Sequence, residues 1–332
     1  MEKKTLVLID SNAIIHRAYH ALPKTMSTRK GELTNVVYGY TTTLIKVLED
    51  LKPDYIAASF DVSKNTFRLA EYAEYKAHRV KADQELYDQI PRVKQLLNVL
   101  SVPIYELEGF EADDVIGTIA HICQESGVGG QENGSKLQTP NSLHIYIVTG
   151  DKDAFQLVDG NIEVYDLKHG LSDAQIVNST VIKTLWNLDP YDFIDLKALA
   201  GDPSDNIPGV PGIGPKTATL LLQKYDTLVD IYKRIDEGLE LDVKPRILGL
   251  LKEYKEQAFL SQRLATIRKD VPLDFKLEDC QWGDYDKDSV RDFFEEMQFN
   301  SLLRRFGAIK GDMPKTEQSK EQKKQDDQLK LL

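Results

Sequence analysis

The chain has 332 residues, 41% of them hydrophobic, with 42 Lys+Arg against 53 Asp+Glu for a net charge of −11. That length suits one large α/β domain, or a domain with a small appendage, and the acidic balance argues against a surface coated in basic residues for generic nucleic-acid binding while leaving room for a local basic patch. Two cysteines, Cys123 and Cys280, exclude a disulfide framework, and the apolar run 6–15 is broken by Asp10, so the expectation is a cytoplasmic protein with neither leader nor membrane span.

In chain order, strand-like segments fall at 6–10, 55–60, 103–107, 144–148 and 162–165, and helix-period segments at 35–50, 84–100 and 113–124 separate the first four. Strands alternating with helices predict α/β architecture, a mostly parallel sheet with helices on both faces, and ligands bind such sheets beyond the carboxyl ends of the strands. Residues 125–142 are rich in Gly, Ser and Asn and predict a loop inserted between a helix and a strand. From about 174 the pattern turns mainly helical, with a Gly/Pro-rich hairpin at 207–215, and 310–332 is a charged segment expected to be disordered. Cys123 continues the helical spacing of Val115, Ile116, Ile119 and Ile122 and is expected in the core.

Acidic residues close the predicted strands. Asp10 ends the first and Asp61 the second; Glu111, Asp113 and Asp114 follow the third, Asp151 and Asp153 the fourth, and Asp202 and Asp205 precede the hairpin. Any one of them is explicable as a helix cap. Together they are not, because strand ends of one parallel sheet converge, and carboxylates at such separations repel or take up protons unless a cation compensates. Oxygen ligands without His or Cys point to Mg²⁺ or Mn²⁺. Two such ions roughly 3.5–4 Å apart suit in-line phosphodiester hydrolysis. The six histidines fit no metal-ligand spacing, and no nucleophile–His arrangement competes.

Just after Asp61, the segment Lys64, Phe67, Arg68, Tyr72, Tyr75, Lys76, His78, Arg79, Lys81 interleaves cations with rings. This suits a nucleic-acid strand, with phosphates on Lys/Arg and bases on aromatics, and Lys76 or Arg79 in reach of a scissile phosphate; the alternative is a solvated amphipathic helix. Gly209, Gly212 and Gly214 of the hairpin allow close backbone approach, and Lys216 and Thr217 open a helix whose free N–H groups suit a phosphate.

The motifs LVLIDSN (6–12), HRAYHAL (16–22), FDVSKNTFR (60–68), YKAHR (75–79), GFEADDVIGT (109–118), TGDKDAFQL (149–157) and GDPSDNIPGVPGIGPKTA (201–218) resemble the 5′ nuclease (flap endonuclease) superfamily, specifically the 5′–3′ exonuclease domain of bacterial DNA polymerase I and its stand-alone relatives. The resemblance runs from about residue 4 to 308. It implies a PIN-like α/β catalytic domain (1–173) with a helical arch at about 62–92, and a helical DNA-binding subdomain (174–309) with a helix–three-turn–helix at 201–224. It implies one metal site at Asp10, Asp61, Glu111, Asp113 and Asp114, a second at Asp151, Asp153, Asp202 and Asp205, two Mg²⁺ or Mn²⁺, and K⁺ at the three-turn motif. It further implies transition-state or phosphate roles for Lys76 and Arg79, a substrate role for Arg17, and removal of 5′ flaps and RNA primers during replication and repair by a monomer. His16 stands where relatives often carry Tyr or Phe for base stacking, and Ser11 replaces a common Gly.

The terminus, Gln328, Leu329, Lys330, Leu331, Leu332, resembles the short motif by which bacterial replication proteins dock on the sliding clamp, and suggests a stand-alone nuclease associated with the nucleoid. A PIN-type ribonuclease and a catalytically silent, structure-specific DNA-binding module are the rival readings. The hairpin at 201–218 discriminates against the first and the intact carboxylate set against the second.

Overall fold

The computed structural model describes residues 3–63, 65–125, 143–169 and 173–310. Lys64, the 126–142 part of the insertion, and the tail with Gln328, Leu329, Leu331 and Leu332 lie outside the described residues. Among the described residues, six strands, β1 Lys4–Asp10, β2 Tyr55–Ser59, β3 Ile104–Tyr105, β4 Leu143–Thr149, β5 Ile162–His169 and β6 Asp173–Val177, form one sheet in the order β3-β2-β1-β4-β5-β6. The first five pair in parallel, as the alternation of elements predicts, and β6 adds antiparallel to β5. The helical expectation from about 174 missed β6, whose five residues are too few to establish an alternating pattern.

The helices of the first half are α1 Ser11–Ala21, α2 Asn35–Leu51, α3 Phe67–Glu71, α4 Gln84–Tyr87, α5 Ile90–Val99 and α6 Ala112–Glu125. β1 shows how they are layered. Its residues from Leu6 on are continuously buried, the signature of a strand covered on both faces. Val7 and Ile9 belong to a core shared with α1, α2 and α5, whereas Leu6 and Leu8 face α6 in a separate core that includes Cys123. The expected helical arch at 62–92 is a strap of turns between the short α3 and α4, with Lys76 in the left-handed region at φ 55°.

The second half holds α7 Ser179–Trp186, α8 Asp192–Ala200, α9 Pro215–Tyr225, α10 Leu228–Asp236, α11 Pro245–Glu253, α12 Lys255–Ala265, α13 Lys287–Glu296 and α14 Asn300–Lys310. α8 to α12 build their own core around Leu199, Leu221, Leu228, Ile231 and Leu251. The last two helices do not join it. Val290, Phe293, Phe294, Leu302 and Phe306 enter the core of α2 and α5, and Arg305 pairs with Glu49 at 2.9 Å. The expected 174–309 unit is therefore interrupted, because these apolar faces find their partner on the α/β layer.

Candidate metal centre and nucleic-acid interface

β1 lies between β2 and β4, so the chain's winding reverses at β1/β4, the position where open α/β sheets bind ligands. Asp10 stands there, 6% exposed. One of its oxygens accepts from Ala13 N at 3.1 Å, capping α1, and the other from Thr149 Oγ1 at 2.7 Å, across to β4. Asp61 is held by Asn12 Nδ2 and by Ala112 N, each at 2.7 Å. Asp151 caps the 3₁₀ turn 152–157 by accepting from Asp153 N at 2.9 Å.

Asp153, Asp202 and Asp205 bring carboxylate oxygens within 4.8 Å of one another, a group able to hold a metal ion. Lys197 of α8 donates to Asp153 and, at 2.5 Å, to Asp202. Lys76 donates to Glu111 at 2.8 Å and lies 3.7 Å from Asp205, while Arg79 donates to Asp205 at 2.5 Å. Tyr75 Oη, with one proton to donate, lies 3.1 Å from Glu111 and 3.2 Å from Asp205, between the two halves of the expected ligand set.

The electrostatics report too little positive charge. Burial, then the neighbouring Asp61 and Asp151, push the Asp10 carboxyl up to about 6. Burial and Asp151 bring Asp153 to about 6 despite Lys197, and burial with Asp10 and Asp151 raises Asp113 well above the carboxylate range. Asp202, against its burial, is held low by Lys197. Against the cost of burial, Glu111 and Asp205 hold the Lys76 ammonium above its ordinary value. Leaving aside Asp114 and its partner Arg68, the expected set holds eight carboxylates, and among the described residues ion pairs from Lys76, Arg79 and Lys197 reach four of them, Glu111, Asp205, Asp153 and Asp202. An all-oxygen donor set with this charge deficit fits hard divalent cations.

Other expected residues distribute unevenly. Arg17 packs on Gly150, where an added Cβ would lie 3.0 Å from its Nη2, and its charged neighbour is Asp166. His16 is exposed, and partial desolvation with His20 and Arg79 nearby holds its imidazole below the usual value. Two residues expected on a DNA-facing surface are internal. Tyr75 is 5% exposed and Arg68 is 2% exposed, the latter donating to both oxygens of Asp114 at 2.7 and 2.8 Å. Phe67 is half-buried, 4.6 Å from the Arg68 guanidinium. Asp114 is fully buried and accepts also from Glu111 N and Arg268 N. Lys197 carries no distinguishing signal in the sequence, since a lysine in the last turn of a helix has an ordinary reading as a dipole partner.

In the hairpin, Gly209 (φ 60°) sits so close to Gly201 (φ 74°) that a Cβ would fall 2.2 Å from Gly201 N. Close approach is therefore used within the protein, anchoring the hairpin on the end of α8. Gly214 has nothing within 4 Å of its Cβ position and precedes α9 without a side-chain cap. Gly212 is exposed at φ 83°, Lys216 is exposed and Thr217 half-buried at the same helix start. Among the described residues no helix is long and apolar enough to cross a membrane.

Residues 5–186 match the family model described as 5′–3′ exonuclease, N-terminal resolvase-like domain, and 188–288 match 5′–3′ exonuclease, C-terminal SAM fold. DNA polymerase I of Bacillus subtilis (strain 168) is 38% identical over 306 residues, 92% of this chain and 32% of the relative. DNA polymerase I of Chloroflexus aurantiacus is 39% identical over 311 residues, 92% of this chain and 31% of the relative. The chain thus spans about a third of the length of these relatives. Among solved structures, T5 5′-exonuclease with bound divalent metal ions (zinc) aligns with TM-score 0.63 at 19% identity, covering 89% of this chain and 99% of that one. The catalytic core of Rad2 in complex with DNA substrate aligns with TM-score 0.54 at 17% identity, covering 92% of each. At these identities the structural likeness speaks to fold.

Proposed function

The chain belongs to the 5′–3′ exonuclease family, and on that premise we propose that it hydrolyses DNA phosphodiesters at 5′ ends, flaps, nicks and RNA-primer junctions, in primer removal and repair, using two Mg²⁺ or Mn²⁺. The observation that carries this reading is the excess of carboxylates over cations at the switch point of the sheet, with Asp10 and Asp153 raised to about 6. Asp10, Asp61, Glu111 and Asp113 would hold one ion, and Asp151, Asp153, Asp202 and Asp205 the other. Bound there, divalent ions supply Lewis acidity and an acidified water for in-line attack.

The chain's own residues supply the rest. The backbone amides of Ala13, Ala112 and Asp153, with Thr149, fix the carboxylates before any ion arrives, which is the preorganisation such chemistry needs. Lys76 and Arg79 on the strap place positive charge beside Glu111 and Asp205, where a scissile phosphate would meet it, and Arg17 at Gly150 is offered to the substrate. His16, exposed near Arg79, is offered to a base of the strand. The uncapped start of α9 with Lys216, Thr217 and the exposed Gly212 and Gly214 would grip duplex phosphates without reading sequence, with K⁺ on the turn's carbonyls.

A cytoplasmic monomer working at the nucleoid completes the reading, tethered to a sliding clamp through Gln328, Leu329, Leu331 and Leu332, which raises local concentration at the nick. Clamp binding unchanged on deleting 328–332 would refute the tether. The function itself is tested with a 5′-flap duplex incubated in Mg²⁺ and then in EDTA. Cleavage confined to Mg²⁺ supports it, and binding without cleavage in both leaves a silent DNA-binding module. The PIN-type ribonuclease reading is disfavoured by the match of 188–288 to the family's second domain.

A further inference from the structure

We infer that Arg68 is the positioning residue for the metal-binding carboxylate of Glu111, and that Asp114 serves as its buried counter-ion and not as a metal ligand. The inference rests on the metal-centre reading above and differs from the metal ligation that the family resemblance implies for Asp114 and from the nucleic-acid contact that the pattern of cations and rings suggests for Arg68.

The hydrogen-bond inventory carries it. A guanidinium has five N–H donors, and Arg68 uses five: Nε to Leu264 O at 2.8 Å, Nη1 to Asp114 Oδ2 at 2.7 Å and Glu111 Oε2 at 3.3 Å, and Nη2 to Asp114 Oδ1 at 2.8 Å and Thr266 O at 2.9 Å. None is left for a phosphate. A carboxylate offers about four acceptor positions, and Asp114 fills four, two with Arg68, one with Glu111 N at 3.1 Å and one with Arg268 N at 2.8 Å. None is left for a cation. Both side chains are internal, at 2% and 0% exposure.

The pair converges on Glu111 from two directions. Asp114 fixes its main-chain amide, while Arg68 donates to Oε2, which Tyr75 Oη also reaches at 3.1 Å, and Oε1 is left turned to Lys76 at 2.8 Å. Lys76 in turn lies 3.7 Å from Asp205, so Oε1 faces the centre. Through Leu264 and Thr266 the same guanidinium ties this orientation to the end of α12. A buried ion pair contributes little net stability compared with an apolar pair of similar shape. Its presence is better matched to holding one ligand in one orientation, the task of groups that surround metal ligands.

The test is a double-mutant cycle in the full chain, combining Arg68→Lys with Glu111→Gln. Arg68→Lys keeps the charge opposite Asp114 but loses the fork that reaches Glu111. The reading is the Mg²⁺ concentration giving half the maximal rise in Tm, at pH 8, alongside cleavage of a 5′-flap duplex. Arg68→Lys should raise that midpoint about 10- to 100-fold in the wild-type background and hardly at all in the Glu111→Gln background. An unchanged midpoint in Arg68→Lys, or equal increases in both backgrounds, overturns the inference. If the wild-type chain shows neither a Mg²⁺-dependent rise in Tm nor cleavage, the metal-centre reading fails first and takes the inference with it.

Discussion

Thr149 donates a 2.7 Å hydrogen bond to Asp10 across the β1/β4 boundary, and it does so where burial works against that carboxylate's charge. The hydroxyl is one of two donors that hold Asp10 ionised in place, the other being Ala13 N. Thr149→Val removes it while keeping a β-branched shape. The expected cost is ~1–3 kcal/mol near neutral pH, the range for leaving a buried acceptor short of a partner, seen as a lowered Tm in EDTA. An unchanged Tm would mean that water replaces the hydroxyl.

Asp10 and Asp153, both raised to about 6 from an ordinary 3.8, make the metal-free protein pH-sensitive in a definite direction. Raised groups bind protons in the folded state that the unfolded chain has released. Their stability contribution is therefore full below about 4 and lost as pH rises through about 6. Divalent ions bind the deprotonated carboxylates and reverse the loss, so the Tm increment given by Mg²⁺ should be larger at pH 8 than at pH 5. Equal increments at both would remove the charge deficit as its cause.

Lys197 bridges Asp153 and Asp202, and its loss leaves two neighbouring carboxylates facing each other. Lys197→Met should lower stability in EDTA by a few kcal/mol, toward the ~3–5 typical when one partner of a buried pair is removed, with Mg²⁺ restoring part of it. Denaturant unfolding with and without Mg²⁺ measures both. A loss that Mg²⁺ does not reduce would place Lys197 outside the metal centre.

Two glycines of the hairpin should behave oppositely. Gly209→Ala combines a positive φ of 60° with a Cβ 2.2 Å from Gly201 N, so the helical unit should be destabilised by well over ~1 kcal/mol and lose duplex affinity. Gly214→Ala, with φ −94° and open space at its Cβ position, should fold normally. Equal Tm values for the two variants would contradict the close approach.

The strand-end acids were legible because each terminates an apolar run, and parallel topology then forces those ends together. The central strands followed from the same runs. The burial of Arg68 against Asp114 was not legible. A local pattern of cations and rings describes a binding surface and a buried strut equally well, and only the approach of 264–268 from the other end of the chain decides between them. α13 and α14 were misplaced for a related reason: an amphipathic helix declares that it has an apolar face, not which core receives it. β6 and the strap depend on tertiary pairing that short segments do not encode.

The most direct measurement is cleavage of a 5′-labelled flap duplex in Mg²⁺ by the wild-type chain and by Asp151→Asn, with DNA binding measured on the same preparations. Asp151→Asn keeps an acceptor oxygen to cap the 3₁₀ turn while removing one charge from the centre. The metal-carboxylate mechanism predicts that cleavage is abolished and binding is largely kept. Cleavage at the wild-type rate by Asp151→Asn, or by the wild-type chain in EDTA, would contradict it.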